Sequence, residues 1–466
     1  MPRRKSVAFS GASVLRRTAM TIKGDTNFSD KALLLLFLPI AGELALHYTV
    51  GIFDSMMVSS VGEAAVSGVS LMDFVISFFN SLLTALAVGG GVVVGQHLGN
   101  SQHKESSGAA MQTMLLLTAS GLALCAIALA LQPLIVNSLF GNLAPEVRRH
   151  ASVYFRITAF SLPFLGIYSA ASAVFRAHGN TALPLRIMIA ANLLNVAGNA
   201  FTIYIMNMET QGVAISTLGA RVLSAALITA MLLRQTPRRE MPALMRPSLP
   251  TARRIICLGI PYSFENGMFY LGRVLVLTMV ASFGTASIAA NAVAQAIVLF
   301  QVLPGMAAVT GITVVVSRCV GAGDYRKAEH YNNRIACGIY ILHFASCLIV
   351  TALLPLIMHL YSLSPEATRL TERIVMLHAA FTVAVWPASY ALPATFRAAG
   401  DTRFPMVVSV SCMLLCRVGF SYILGIRLGM GVVGIWLGMF GDWVVKGAIF
   451  LMRYRSRKWQ NFRLVN

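Results

Sequence analysis

Acidic side chains are scarce in this sequence: 17 Asp and Glu stand among 466 residues, and all charged types together reach only 12%. A soluble domain carries roughly 25%. A surface so poor in charge cannot face water on every side, so an ordinary soluble fold is excluded. Paired cysteines are lacking too. The seven cysteines are odd in number and scattered, with no CxxC and no metal-site spacing, and they read as small buried apolar side chains. No Walker loop, HExxH or GxSxG is present, so nothing points to an enzyme. The glycine-rich "AVGGGVVVG" (Ala87–Gly95) follows no strand and reads as close helix packing instead. Period-two alternation is absent, which excludes a transmembrane β-barrel.

Long apolar runs are abundant: 57% of the residues are hydrophobic. Ala32–Met57, Met111–Val136, Leu185–Met206, Gly212–Leu233, Ile335–Met358 and Met406–Ile426 each carry few or no charges. Each reaches the roughly 20 residues that a helix needs to cross a bilayer. Breaks rich in Gly, Pro and Asn divide the chain into about twelve spans. The expected fold is therefore an all-α integral membrane protein. Residues 1–31 form a basic cytoplasmic tail and 32–233 a first six-helix bundle. A cytoplasmic linker follows over 234–255, then a second bundle over 256–452 and a cytoplasmic tail over 453–466. The formal net charge of +20 falls mostly on one side of this topology. That is the positive-inside pattern, and it places both termini inside a bacterial cytoplasmic membrane. It does not indicate nucleic acid, since no basic patch is interleaved with exposed aromatics. The basic stretches Arg234–Arg254 and Arg453–Arg463 are expected to lie against anionic lipid headgroups.

One polar loop is written twice. "FRAHGNTALP" (Phe175–Pro184) and "FRAAGDTRFP" (Phe396–Pro405) share Phe, Arg, Ala, Gly, Thr and Pro. Six spans separate them, so both face the cytoplasm and the two halves are parallel repeats. The register extends further: Pro39 and Glu43 match Pro261 and Glu265, and Gly62, Gly99 and Gly212 match Gly284, Gly321 and Gly434. Within the loop, Gly179 and Gly400 permit positive φ, Asn180 and Asp401 suit a turn or N-cap, and Pro184 and Pro405 suit the first helical turn. Arg176 and Arg397 are expected to meet backbone carbonyls or lipid phosphate. The loop reads as a structural hinge.

An ionisable residue inside a span is costly and marks function by default. Glu43 and Asp54 in the first span and Glu265 in the seventh are such residues. Glu43 and Glu265 sit at matching mid-span depths, where repeat transporters hold their substrates. With Asn266, Asn291 and Gln295 they are assigned to a substrate cavity. Weaker candidates for its lining are His47, Asp73, Asn80, Arg273, Gln301, Arg417 and Asp442. Asp442 and Lys446 are four residues apart and can neutralise each other.

The repeated loop, "IFDSMMVSSVG" (Ile52–Gly62), "NLLNVAGN" (Asn192–Asn199), "GVAIST" (Gly212–Thr217) and "VGAGDYRKAEHY" (Val320–Tyr331) together resemble the multidrug and toxic compound extrusion (MATE) family. "PYSFENGMFYLGR" and "GIWLGMFGDW" are similar to its bacterial branch. The resemblance covers nearly the whole chain beyond the tail. It implies two six-helix bundles forming a V around a central cavity. It implies a secondary antiporter that exports organic compounds, here cationic amphipaths, in exchange for H+ or Na+. No other cofactor is expected, and the partners are small organic molecules and membrane lipids around a monomer. By the same resemblance Asp54 stands where the coupling ion binds, within a network of Asn195, Asn199 and Thr217. Asn199 occupies the place of a family aspartate. An amide does not titrate, so Asp54 carries the proton alone or the site holds Na+ through neutral oxygens. The ion is expected to bend or shift the first span at Pro39 or Gly51. The alternatives are a lipid-linked precursor flippase, which would need a strongly cationic cavity whereas the mid-span charges here are mainly acidic, and a channel without pumping.

Overall fold

The computed structural model describes residues 26–136, 144–235, 246–361 and 363–462. The tail up to residue 25, residues 236–245 of the linker and residues 463–466 lie outside the described residues. The described chain is helical, with no strand. The first half contains α1 (Asp30–Ser59), α2 (Glu63–Gly99), α3 (His103–Leu134), α4 (Pro145–Ala159), α5 (Leu162–Ala177), α6 (Ala182–Ala200) and α7 (Thr210–Gln235). The second contains α8 (Leu249–Ala281), α9 (Thr285–Gly321), α10 (Tyr325–Tyr361), α11 (Pro365–Ala384), α12 (Trp386–Ala399), α13 (Arg403–Ser411) and α14 (Gly431–Arg455). Widened π-helical turns continue α6 over Phe201–Ile205 and α13 over Cys412–Val418 and Tyr422–Arg427.

Nine of the described helices are long and apolar enough to cross a membrane, and two bent pairs raise this to eleven. The remaining long rod, α8, carries Arg253, Arg254, Glu265 and Arg273 and is not among them. Two of the expected spans are not straight helices but bent pairs. α4 meets α5 at 48°, and α11 meets α12 at the same angle. Pro163 and Pro387, each in the first turn after the break, explain both bends, because a proline removes a backbone donor and cannot continue a preceding helix smoothly.

The halves exchange helices. α1 packs on α9 as well as on α6, α8 packs most extensively on α2, and α2 meets α9 along the centre. Small residues allow this approach. A Cβ on Gly89 would strike the backbone of Gly259, and one on Gly259 would strike Leu86. At the helix ends the contact is reciprocal. A Cβ on Gly99 would collide with the carbonyl of Arg318, and one on Gly321 with the carbonyl of Gln96. Side chains then tie the two ends together. Gln96 Nε2 donates to the Ala398 carbonyl at 2.8 Å, and Arg318 Nε to the Ala177 carbonyl at 2.9 Å. Ala177 and Ala398 are the same residue of the two "FRA" motifs. The start of α1 is fastened to the other half as well, through Phe28 N–H to Tyr331 Oη at 2.7 Å and an Asp30–Arg334 ion pair.

The repeated loop closes each bent pair. Gly179 and Gly400 have φ of 82° and 104°. The next N–H reaches back to Phe175 or Phe396 in each case, at 2.9 Å, which is a Schellman-type ending. Phe175 and Phe396 are buried in the cores of their halves. Asn180 Oδ1 accepts from Leu183 N–H at 3.2 Å, while Asp401 is held by Arg453 at 2.8 Å. The arginines do not meet carbonyls or lipid. Arg176 Nη2 lies 2.7 Å from Glu43 Oε2, and Arg397 Nη2 lies 3.0 Å from Glu265 Oε1. Tyr168 Oη adds a donor to Glu43 at 3.1 Å. The matched mid-span acids therefore pair with the matched loop arginines, once in each half. In the last basic stretch Arg453 and Arg457 engage Asp401 and Glu329, and Trp459 is fully buried against Tyr454.

Glu43→Gln leaves the Arg176 guanidinium buried without its counter-charge, a loss of about 3–5 kcal/mol for pairs of this kind. The thermal midpoint of the purified protein should fall sharply, and the double exchange Glu43→Arg with Arg176→Glu should recover part of it. Gly321→Val should lower the midpoint and the yield of monodisperse protein several-fold. Gly338→Val, where a Cβ meets nothing within 4 Å, serves as the control that should not.

Candidate functional site

Two polar regions stand inside the helical body. The first lies among α1, α6 and α7 of the first half. Asn199 Nδ2 donates to Asp54 Oδ1 at 2.7 Å, and Asn195 Nδ2 donates to Thr217 Oγ1 at 3.3 Å. Asn195 and Asn199 are one turn apart on α6, so both face α1 and α7. Their carbonyl oxygens, Asn195 Oδ1 and Asn199 Oδ1, are buried without a hydrogen-bond partner. Asp54 itself is half-buried. The structure thus brings together all four residues assigned to ion coupling. Their free groups are acceptors, which suit a proton or a hard cation. Asp73 stands beside this cluster rather than on the cavity wall, together with two residues that the sequence did not single out, Tyr154 and Arg221. Tyr154 Oη donates to Asp73 at 2.7 Å, Arg221 donates to Ser161 Oγ at 2.6 Å, and Arg221 acts electrostatically on both Asp54 and Asp73. Arg221 in the middle of α7 was the available signal, since an arginine within an apolar span needs a partner.

The second region is a cavity of about 970 Å³ between the halves, large enough for a drug-sized molecule. Its walls come from α1, α2 and α5 on one side and from α8, α9, α12, α13 and α14 on the other. Glu265, Asn266, Asn291 and Gln295 line it. Asn291 is oriented by Trp436 Nε1, which donates to its Oδ1 at 3.1 Å. Glu43 does not line it. Five per cent exposed, it lies behind Arg176, which takes the place on the wall that Glu43 was expected to hold. Arg273 also stays apart from Glu265, eight residues away on the same helix, and has no ion pair or hydrogen bond among the described residues. Asp442 pairs with Lys446 at 3.8 Å as the spacing suggested, and additionally with Arg417 at 3.2 Å. Apolar and aromatic side chains fill the remaining wall, among them Phe74, Phe269, Met306, Tyr390 and Trp443.

The charge of this wall differs from the acidic one that mid-span residues suggested. Arg176, Arg273, Arg397, Arg417 and Lys446 line the cavity, against the carboxylates of Glu265 and Asp442. Among the described residues no group of three or more His, Cys, Asp or Glu side chains could hold a metal ion.

Comparison with known proteins agrees with this fold. The MatE family profile matches residues 39–201 and again 261–423, once in each half. An uncharacterised transporter of Bacillus subtilis, YisQ, is 25% identical over 458 residues, covering 96% of this chain and 98% of its own. A probable multidrug resistance protein of Thermotoga maritima, NorM, is 23% identical and covers 92% of this chain and 93% of its own. Among solved structures, an outward-facing multidrug resistance MATE transporter of the MOP superfamily superposes with a TM-score of 0.84 at 20% identity, over 95% of this chain and 98% of that one. With the repeated halves, the membrane-length helices and the profile matched twice over most of its length, the chain belongs to the MatE family of integral membrane transporters.

Proposed function

We propose that the protein is a secondary antiporter that exports organic amphipaths through the central cavity in exchange for H+ or Na+ bound at Asp54. The observation that carries this reading is the Asp54–Asn199 contact at 2.7 Å, beside two buried amide oxygens with no partner. A carboxylate placed there can be neutralised by a proton, or can share a Na+ with those oxygens. The relatives named as multidrug resistance proteins support an organic cargo. Both termini lie in the cytoplasm of a bacterial cell on this reading, and the protein works as a monomer.

Coupling follows from how α1 is held. Glu43 and Asp54 are eleven residues apart, about 16 Å and close to three full turns, so they lie on one face of the helix. That face is fastened to α5 by Glu43–Arg176 and to α6 by Asp54–Asn199. An ion at Asp54 replaces the second fastening and leaves the first. The outer part of α1 is then free to shift about Gly51, around which a Cβ would find open space, while the inner part stays anchored. Movement of α1 changes the cavity wall, to which Leu44 and Tyr48 contribute.

In vesicles with an imposed pH or Na+ gradient, the wild-type protein should drive an organic dye against its concentration gradient. Testing one cationic and one anionic dye keeps this independent of cargo charge. Asp54→Asn should insert and bind dye normally yet lose gradient-driven flux by at least tenfold. Undiminished flux in that variant would sink the assignment of Asp54.

A further inference from the structure

The cavity holds more positive than negative charge, and the surplus is local. Arg176 is matched by Glu43 behind it, and Arg397 by Glu265. Asp442 alone remains to serve two cations, Arg417 and Lys446, both only 5% exposed. Arg273 is exposed on the cavity wall and has no partner among the described residues. Two formal positive charges are therefore unmatched. They are also neighbours. Arg417 covers the ring of Phe269 at 4.9 Å, and Arg273 stands one turn beyond Phe269 on α8, where Gly272 packs directly on Met413 of the widened turn that carries Arg417.

The hydrogen bonding of the cluster is incomplete in the matching sense. Arg417 Nε and Nη2 are buried donors without a hydrogen-bond partner, although Nη2 stands in ion-pair range of Asp442. Trp443 Nε1, next to Asp442, is a third such donor. One acceptor, Asp442 Oδ1, is likewise unpartnered. Lys446 has the face of Tyr390 at 4.2 Å. A buried guanidinium with free donors is strongly stabilised by an oxyanion, which accepts charge-assisted hydrogen bonds that a neutral or cationic group cannot. Around it, Phe269, Trp436 and Tyr390 provide apolar faces for a carbon skeleton.

We propose that the cavity selects anionic amphipaths, an apolar or aromatic body bearing a carboxylate, sulfonate or phosphate, with Arg417 and Arg273 receiving the anion. The inference rests on the cavity being the transport site. It sets the expected cargo charge opposite to that suggested by the mid-span acids Glu43 and Glu265, which Arg176 and Arg397 already occupy. At the repeat offset of 222 residues, Arg417 stands in the second half where Asn195 of the ion cluster stands in the first.

Three of the four tryptophans, Trp386, Trp436 and Trp443, line the cavity, so binding can be read by energy transfer to a dansyl probe. The purified full chain is titrated with a dansyl amine derivative ending in a carboxylate and with the same derivative ending in trimethylammonium. The carboxylate probe should bind at least tenfold more tightly. Arg273→Gln, which breaks no hydrogen bond or ion pair among the described residues, and Arg417→Gln should each weaken it fivefold or more and leave the trimethylammonium probe unchanged. Asp442→Asn should hold or tighten carboxylate binding. Tighter binding of the trimethylammonium probe, or indifference of the carboxylate probe to Arg273→Gln, overturns the proposal. Vesicle assays then separate the sources of the anion. Movement of a labelled phosphatidylglycerol between leaflets identifies a lipid headgroup, and gradient-driven uptake of the carboxylate probe identifies a soluble anion. Absence of both movements, with the affinity order intact, counts against the exporter reading and leaves the charge preference standing.

Discussion

A carboxylate and a guanidinium buried together among apolar helices form the contact on which each half depends. Alone, either charge would be too costly to bury; together they are tolerated, and removing one strands the other. The chain makes this contact twice, as Glu43–Arg176 and Glu265–Arg397. The repeated loop exists to place it. The glycine at positive φ ends α5 and α12 one turn past the arginine, and the Schellman hydrogen bond fixes that ending. The adjoining alanine leaves its carbonyl free at the helix end. Arg318 and Gln96 take those carbonyls from the opposite half. Each loop thus commits a side chain to its own bundle and a backbone group to the other.

Much of this architecture was legible in the sequence. Apolar runs of membrane length gave the rods, and a constant offset of about 222 gave the parallel repeat. The bends within two rods were not read, although Pro163 and Pro387 stood in view, because a hydropathy run continues unbroken across a kinked helix. The polar first turns of α4, with Arg148, Arg149 and His150, hid its true start at Pro145. The Glu–Arg pairs escaped for a different reason. Their members are more than 130 residues apart, and each arginine was assigned to a loop whose surroundings sequence alone does not reveal.

The coupling cluster shows the opposite balance. Asn195 and Asn199 share a helix face by spacing, but nothing in spacing joins them to Asp54 or Thr217; the family resemblance did that. Its neighbours Tyr154 and Asp73 come from two further helices, α4 and α2, and Arg221 stands one turn beyond Thr217 on α7, so only the folded chain assembles them. The cavity charge was misjudged by counting acids along the spans and leaving the arginines to the headgroups. Arg176 and Arg397, at the ends of the second helices of the two bent pairs, stand on the wall instead.

Symmetry in the backbone and asymmetry in the side chains then divide the labour. Both halves carry the Glu–Arg pair, the bent helix and the widened turn after α6 or α13, so both can move by the same hinge geometry. They part where the polar clusters stand. At the offset of 222 the second half has Val276 for Asp54 and Arg417 for Asn195, an acceptor cluster replaced by a donor cluster. Asp54 lies off the cavity wall and Arg417 on it, so an ion and a cargo do not compete for one surface. What they share is α1, which carries Asp54 on one face, leans on α9 of the opposite half and contributes Leu44 and Tyr48 to the wall. A second helix joins the two sites as well: α2 carries Asp73 beside Asp54 and contributes Leu71 and Phe74 to the wall.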